Sequence, residues 1–203
     1  MIGRACSEMY ESRMVVRVHR GFTNSVMRRR PKVRTTDRKT SHELMKALTM
    51  TQPWASLVAI GENTIETRSW STRYRGPLAI HAAKAFPADA RRLCRRPPYR
   101  AVLARHGYAS ADQLPLGSVI AVARLIDVLA FDRDSLRKTR HDARQGLLPE
   151  HEAEFGDFSP GRFGFVLRDI RRLTAPIPVR GMLGVWTLPA EVEAAIVTAA
   201  RLR

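Results

Sequence analysis

The segment that decides the fold is MKALTMTQPWASLVAIGENTIETRSWSTRYRGPLAIHAAK, residues 45–84. It opens with a short strand pattern. Pro53 and Gly61 then bracket an apolar run, as a first-turn proline and a C-terminal glycine bracket a helix. Beyond that run, NTIETRSW (63–70) alternates and contains β-branched residues, which predicts a second strand. A Gly-Pro turn then leads into a third strand, which we expect to be buried.

The rest of the chain mixes strands and helices without regular βαβ alternation. Residues 87–107 predict two short helices separated by a pair of prolines, and residues 115–131 predict a strand that is apolar on both faces. Residues 132–161 are polar, and we expect them to be irregular or partly helical. A strand is predicted over 162–173, followed by an irregular crossing over 175–188 that ends in a short strand, and then by a C-terminal helix. This order predicts an α+β fold, a small β-barrel of mixed or antiparallel strands with helices around it.

Positive charge is the strongest feature of the composition. The 203 residues include 35 lysines and arginines against 19 aspartates and glutamates, a formal net charge of +16. A surface this rich in cations attracts polyanions. The two cysteines, Cys6 and Cys94, form no CxxC motif, so we expect no metal and no cofactor. No apolar run approaches the ~18 residues that span a membrane, and no secretory signal is seen, so a cytoplasmic location is expected.

The first 44 residues differ from the rest of the chain. They hold 11 lysines and arginines against 4 acidic residues and show no sustained period of 2 or 3.6. This pattern predicts a disordered basic extension. Two explanations stay open: the extension is a nucleic-acid-binding tail, or it is upstream sequence that is not translated in vivo because translation starts at Met45. The predicted organisation is therefore an extension over 1–44 and a folded domain with a C-terminal helix over 45–203.

The alternating strand carries the main candidate functional side chains. Residues two apart on a strand point to one face, so Glu66, Arg68 and Trp70 lie together, opposite Ile65. One interpretation is a solvated face whose ion pair contributes ~0–1 kcal/mol. The other is a binding cleft, because unstacked RNA bases stack on aromatic rings while cations meet phosphates. The further candidates are Trp54, Arg75, His81, Lys84 and Arg162. For Trp54 and His81, a place in the core is the competing interpretation.

Residues 45–84 resemble the opening of an ASCH domain, the activating signal cointegrator homology family of the PUA-like superfamily. The family pattern G-x-K-x-x-E-x-R is matched at Gly61, Glu66 and Arg68, while Asn63 stands in place of the lysine. The segments LPLGSVIAVARLIDV and FGDFSPGRFGFVLRDIRRLTAPIPVRGMLGVWTL resemble the family's later strands. The resemblance extends over about 45–189. It implies a PUA-like β-barrel whose cleft, beside the motif, binds RNA or a modified nucleobase.

Enzymes within this family supply the alternative function. The bacterial acetylcytidine amidohydrolases resemble this chain and are thought to use a lysine, a threonine and a glutamate; other relatives have been proposed as ribonucleases. Here Asn63 replaces the lysine and Glu66 stands where the threonine would fall. Asparagine takes no proton at neutral pH. Whether Lys46 or Lys84 replaces the lysine in space stays open.

We therefore predict an RNA- or modified-nucleobase-binding module that works without catalysis. Asn63 is included among the predicted ligand-binding residues. The alternative is a hydrolase acting on RNA or a modified nucleoside, with Glu66 as general base and Arg68 and Lys84 as electrostatic helpers. A module that binds an acidic protein partner is the third possibility. The sequence makes no prediction of the oligomeric state.

Overall fold

The computed structural model describes residues 44–201, without the side chains of residues 200 and 201. The predictions for residues 1–43 lie outside the described part. The strands are β1 (Lys46–Met50), β2 (Ile65–Arg68), β3 (Gly76–Ala82), β4 (Ser118–Ala130), β5 (Phe163–Pro178) and β6 (Val185–Thr187). The helices are α1 (Trp54–Ala59), α2 (Ala88–Leu93), α3 (Tyr99–Arg105), α4 (Ser135–Arg144), α5 (Glu152–Phe155) and α6 (Ala190–Arg201), with a 3-10 turn at Ala111–Gln113.

One mixed sheet contains all six strands, in the order β2-β5-β4-β3-β1-β6. β1 and β3 are parallel, and every other neighbouring pair is antiparallel. The sheet curls into a half-barrel with helices around it. The curl brings distant strands together, because Arg68 Nη2 of β2 donates to the carbonyl of Thr49 in β1 at 2.8 Å although three strands separate them in the sheet. The predicted PUA-like α+β architecture is confirmed.

One side of the sheet holds the main core. Side chains of β1, β3, β4 and β5 meet α1 there, and the largest of them are Leu48, Met50, Leu78, Ile80, Leu125, Phe165 and Leu167. Burial of each such side chain contributes ~1.5–3 kcal/mol. The other side of the sheet is covered by α6, whose Val192 and Ile196 pack with Trp186 of β6.

Helix α1 is fixed at both ends, and it positions the segment that follows. Buried Gln52 accepts a hydrogen bond from the amide of Ser56 at 3.0 Å and donates one to the carbonyl of Pro115 at 2.8 Å. At the other end, Gly61 has a φ of 80°, a conformation that glycine adopts without strain. The chain therefore leaves α1 in a defined direction and enters β2 after five residues.

Strand β5 is longer than the sequence pattern predicts. We expected the strand to end at residue 173 and an irregular crossing to follow, but β5 continues through Pro176 to Pro178. The prolines suggested a break because proline cannot donate to a sheet ladder. They are tolerated here because β2 pairs only with Phe163–Val166, so that the later part of β5 pairs with β4 alone.

Candidate ligand-binding cleft

A cleft of about 460 Å³ opens beside β2, between the start of α1 and the chain that follows α5. Five of the candidate residues line it: Trp54, Glu66, Arg68, Trp70 and Arg162. The structure adds lining residues that sequence reasoning missed, among them Tyr99, Glu154, Phe155 and Asp157. These additional residues come from α3, from α5 and from the segment after it, which are distant from β2 in the sequence.

The centre of the cleft is a buried ion pair. Arg68 Nη2 lies 2.9 Å from Glu66 Oε1, and the Glu66 side chain is only 9% exposed. Glu66 is opposite Phe165 in the strand register, which places it on the core side of the sheet. Burial raises the pKa of the Glu66 carboxyl, while the Arg68 guanidinium opposes that shift. Arg68 Nε is buried and has no hydrogen-bond partner within residues 44–201.

Two tryptophans form firm, partly exposed walls of the cleft. Trp70 packs edge-to-face against Phe165, with ring centroids 5.1 Å apart. Trp54 meets Tyr99 edge-to-face at 6.5 Å, and its Nε1 donates to the carbonyl of Phe155 at 2.6 Å. Because these contacts hold each ring from one side, the rings are pre-oriented and keep some area for a ligand.

Arg162 adds a second cation at the rim of the cleft. Its Nε lies 3.2 Å from Asp157 Oδ2. The side-chain and backbone hydrogen bonds from Ser159 hold the pKa of Asp157 below its ordinary value, and Arg162 adds to this shift. The rim therefore contains charges of both signs, and the cleft is less uniformly cationic than the sequence suggested.

A buried carboxylate that sequence reasoning missed holds the motif segment in place. Glu152 of α5 is fully buried. It accepts hydrogen bonds from the amide and hydroxyl of Thr64, the shortest at 2.7 Å, and from the amide of Ile65 at 2.8 Å. Burial raises the pKa of Glu152, against the effect of these hydrogen bonds. No local pattern could reveal this contact, because 88 residues separate Glu152 from Thr64.

Asn63 belongs to this buried anchor and does not line the cleft. It is 1% exposed. With its amide nitrogen facing Glu152, it donates to Glu152 Oε1 at 2.8 Å and to the carbonyl of Ile65 at 3.2 Å. In the opposite orientation, the amide nitrogen donates only to Glu66 Oε2, at 3.5 Å. The first orientation therefore gives the amide nitrogen shorter and more numerous hydrogen bonds. Asn63 thus stabilises the motif segment through its hydrogen bonds to Glu152 and Ile65.

Three candidate residues lie away from the cleft. Arg75 is exposed, and its Nη2 lies 3.2 Å from Asp127 Oδ1 of β4. His81 and Lys84 line a separate hollow of about 780 Å³. The expectation that these residues share one cleft with Glu66 is therefore corrected. Whether they bind a ligand stays a prediction.

Strand alternation explains the position of His81. Its neighbours Ile80 and Ala82 point into the main core, so His81 points to the opposite side of the sheet. There its Nε2 lies 3.0 Å from the carbonyl oxygen of Val179, and its ring packs edge-to-face with Trp186 at 5.7 Å. Burial lowers the pKa of His81, which favours a neutral ring packed between strands.

The described residues contain no group of three or more His, Cys, Asp or Glu side chains that could hold a metal ion. None of the described helices is both long and apolar enough to cross a membrane. The described residues that line the cleft offer carboxylates, guanidinium groups, hydroxyls and aromatic rings.

The domain is a curled, mixed half-barrel with surrounding helices, and the PUA-like class of this fold follows from the family that its sequence matches. The ASCH domain model matches residues 48–180, and the chain belongs to the ASCH domain family. ASCH domains are associated with RNA binding.

Two relatives are activating signal cointegrator 1 of Mus musculus and of Homo sapiens, each 26% identical over 146 residues, or 72% of this chain. The match spans 22% of the length of each of these relatives. The crystal structure of ASCH from Zymomonas mobilis is 15% identical to this chain, covers 76% of it and 94% of the other chain, and has a TM-score of 0.44.

Proposed function

We propose that the cleft binds an unstacked base of single-stranded RNA or a modified nucleobase. The observation that carries this proposal is the combination of two fixed, partly exposed tryptophans with the Glu66–Arg68 pair and Arg162 in one cleft of about 460 Å³. A base that stacks on a protein aromatic ring gains ~1–3 kcal/mol. The guanidinium groups supply attraction for the phosphates next to that base.

The central ion pair suggests which edge of a base the cleft would accept. The Glu66 carboxylate accepts hydrogen bonds, and the guanidinium group of Arg68, whose side chain is partly exposed, donates them. A base edge that offers an amino donor next to an acceptor matches this arrangement, as the edges of cytosine and adenine do.

Substitution of Trp70 tests the proposal. We expect Trp70→Ala to weaken binding of single-stranded RNA about tenfold, because one stacking contact is lost. Fluorescence anisotropy with a labelled RNA measures the affinity, and thermal unfolding checks that the variant is folded. Arg68→Ala should also weaken binding, but Arg68 bonds to Thr49 as well, so Trp70 is the cleaner test.

The matched control is Arg75→Ala, which removes an exposed cation outside the cleft. It should change affinity much less than either cleft substitution. Unchanged affinity in folded Trp70→Ala and Arg68→Ala would refute the proposed cleft. RNA affinity no better than that of an equally basic unrelated protein would refute specific RNA binding altogether.

A hydrolase acting on RNA or a modified nucleoside is the second candidate, with Glu66 as general base. One observation favours it: Glu66 lines the cleft, and burial raises its pKa, as in many catalytic carboxyl groups. Against it, no lysine or histidine is among the cleft's described lining residues, and Lys46 Nζ bonds to Thr187 elsewhere. Turnover of acetylated cytidine or RNA by the parent, abolished in Glu66→Gln, would favour the hydrolase. Activity that appears only in Asn63→Lys would favour the binding module.

A further inference from the structure

We infer that α4 carries a second part of the RNA interface, a row of arginines that binds the phosphates of the chain whose base enters the cleft. The row consists of Arg133, Arg137, Arg140 and Arg144 and is called the arginine row below. The inference rests on the proposed function and extends it. It commits the ligand to an RNA strand of several nucleotides rather than a free nucleoside.

The spacing of Arg137, Arg140 and Arg144 places them on one side of α4, and Arg133 lies in the turn just before the helix. The four arginines follow one another at intervals of four, three and four residues, which is the spacing of neighbours on a helix surface. All four line a single shallow hollow together with Leu136 and His141. Because α4 has 10 residues, the row is about 15 Å long, enough to run beside several phosphates.

Most of the charge in the row is uncompensated within the described residues. Arg137 pairs with Asp134 at 3.3 Å, but its side chain is 76% exposed. No ion pair to Arg133, Arg140 or Arg144 is seen within residues 44–201. Like charges spaced three or four residues apart weaken a helix by a few tenths of a kcal/mol for each pair. The arrangement therefore costs the helix stability, and a bound polyanion would offset that cost.

The arginine row and the cleft are linked by lining residues that neighbouring hollows share. Arg140 and Arg144 also line a smaller hollow that includes Glu150 and Glu154. Glu154 in turn lines the cleft, and the same short helix, α5, supplies Phe155 to it. A strand that leaves the cleft past Glu154 therefore reaches the arginine row directly. The two glutamates of the passage repel phosphate, so the backbone is expected to follow the arginine side.

Other polyanionic partners fit the row less well. α4 has the sequence SLRKTRHDAR and lacks the broad apolar face with which an amphipathic helix enters a membrane surface. An acidic protein segment would match the charge, but it would leave the aromatic walls of the adjoining cleft without a role. A single RNA strand uses both features at once, since its bases stack and its phosphates pair with cations.

A length series tests the row separately from the cleft. Affinity is measured for a mononucleotide and for single-stranded RNAs of about 4, 8 and 12 nucleotides, a range typical of such sites. For the parent chain we expect affinity to rise with length. The variant R137Q/R140Q/R144Q should bind the mononucleotide as tightly as the parent does. It should lose most of the increase in affinity with RNA length, and bind the longest RNA at least about tenfold more weakly than the parent. Its salt slope, log K against log salt, should shrink by about 2, since each phosphate contact contributes about 0.7.

The matched control is R92Q/R95Q/R96Q, which removes three exposed arginines from another basic segment. Equal losses in both triple variants would overturn the arginine row in favour of a general charge effect. Equally tight binding of poly-glutamate would overturn the choice of RNA. Circular dichroism checks that α4 remains folded.

The two proposals fail in different ways. If the mononucleotide binds and lengthening the RNA adds nothing, the arginine row is wrong and the cleft stands. If the mononucleotide does not bind, but long RNA binds in a way that depends on the row, the cleft is wrong and the row stands.

Discussion

Glu66 and Glu152 are two buried carboxyl groups whose pKa values are raised by burial. A carboxyl group with a raised pKa binds its proton more tightly in the folded than in the unfolded chain. Its contribution to stability is complete below the unfolded pKa of about 4.3 and is lost as the pH rises through the folded value. Asp157 acts in the opposite sense, because its lowered pKa contributes stability that is lost as the pH falls.

The first prediction concerns this pH dependence. As the pH rises from about 4.3 through the raised folded-state pKa of Glu66, this carboxyl should make the free energy of unfolding fall. Glu66→Gln has no titrating group there, so its stability should depend less steeply on pH than that of the parent. Urea unfolding over a pH series measures both slopes. The control Glu191→Gln, an exposed site on α6, should keep the parent slope. Identical slopes for Glu66→Gln and the parent would contradict the raised pKa.

The second prediction concerns Glu152. Glutamine has one acceptor oxygen, and its amide nitrogen would face the donors of Thr64 and Ile65. We therefore expect Glu152→Gln to lower the free energy of unfolding by about 3 kcal/mol, the range for losing buried charged hydrogen bonds. Denaturant unfolding measures the loss. Glu150→Gln, whose side chain is 77% exposed, should change stability by less than about 0.5 kcal/mol. A similarly small change in Glu152→Gln would show that the anchor is unimportant.

At the scale of elements, local patterns predicted most of the strands and helices. Pro53 and Gly61 bracket α1, and the alternation around Glu66 marks β2, because these signals act within a few residues. The end of β5 could not be predicted, since its prolines are allowed only by the short reach of β2 on its other edge. The folding of residues 132–161 into α4 and α5 was predicted only in part.

The third prediction concerns the contact between β2 and β5. Gly164 lies on β5 beside β2, and a Cβ atom there would lie 2.4 Å from Phe131 Cζ and 2.7 Å from Ile65 Cγ2. Gly164→Ala should therefore destabilise the domain by about 1–3 kcal/mol through overpacking. Because Ile65 is on β2, the wall of the cleft should shift, and RNA affinity should fall as well. Thr174→Ala, at an exposed position on the same strand, is the control. Unchanged stability in Gly164→Ala would contradict this prediction, because it would mean that Phe131 and Ile65 move aside at little cost in free energy.

At the scale of the molecule, the structure brings five of the candidate residues together in one cleft, and whether they bind a ligand stays a prediction. The residues on or near β2, together with Trp54 and Arg162, came from alternation, charge and family resemblance. Tyr99, Glu152 and Glu154 were missed because long-range packing brings them to the motif. Alternation along one strand also cannot assign its two faces to core and exterior, which is why His81 was grouped with Glu66.

The fourth prediction concerns the basic extension. If the domain boundary lies where the sequence predicts it, residues 45–203 alone should unfold with the parent's free energy of unfolding. Urea unfolding of this shortened chain measures it, and a clear loss of stability would contradict the predicted domain boundary. A nucleic-acid-binding tail predicts a shallower salt slope of RNA binding after truncation. The intact mass of the protein isolated from its native host tests the alternative, because a mass matching a start at Met45 would contradict the tail.

The anchoring of Thr64 by Glu152 also bears on how such sequences can diverge. Thr64 lies just before β2, and Glu152 lies after α4. Among the described residues, no second carboxylate takes the place of Glu152 as the acceptor for the Thr64 hydroxyl and the Ile65 amide. In a relative whose β4–β5 connection is shorter or differently folded, another residue must accept the hydrogen bonds of the Thr64 and Ile65 amides. Without such an acceptor, the motif segment is held less firmly. Positions 63, 64 and 152 should therefore covary among relatives that keep α5, and drift independently among those that have lost it.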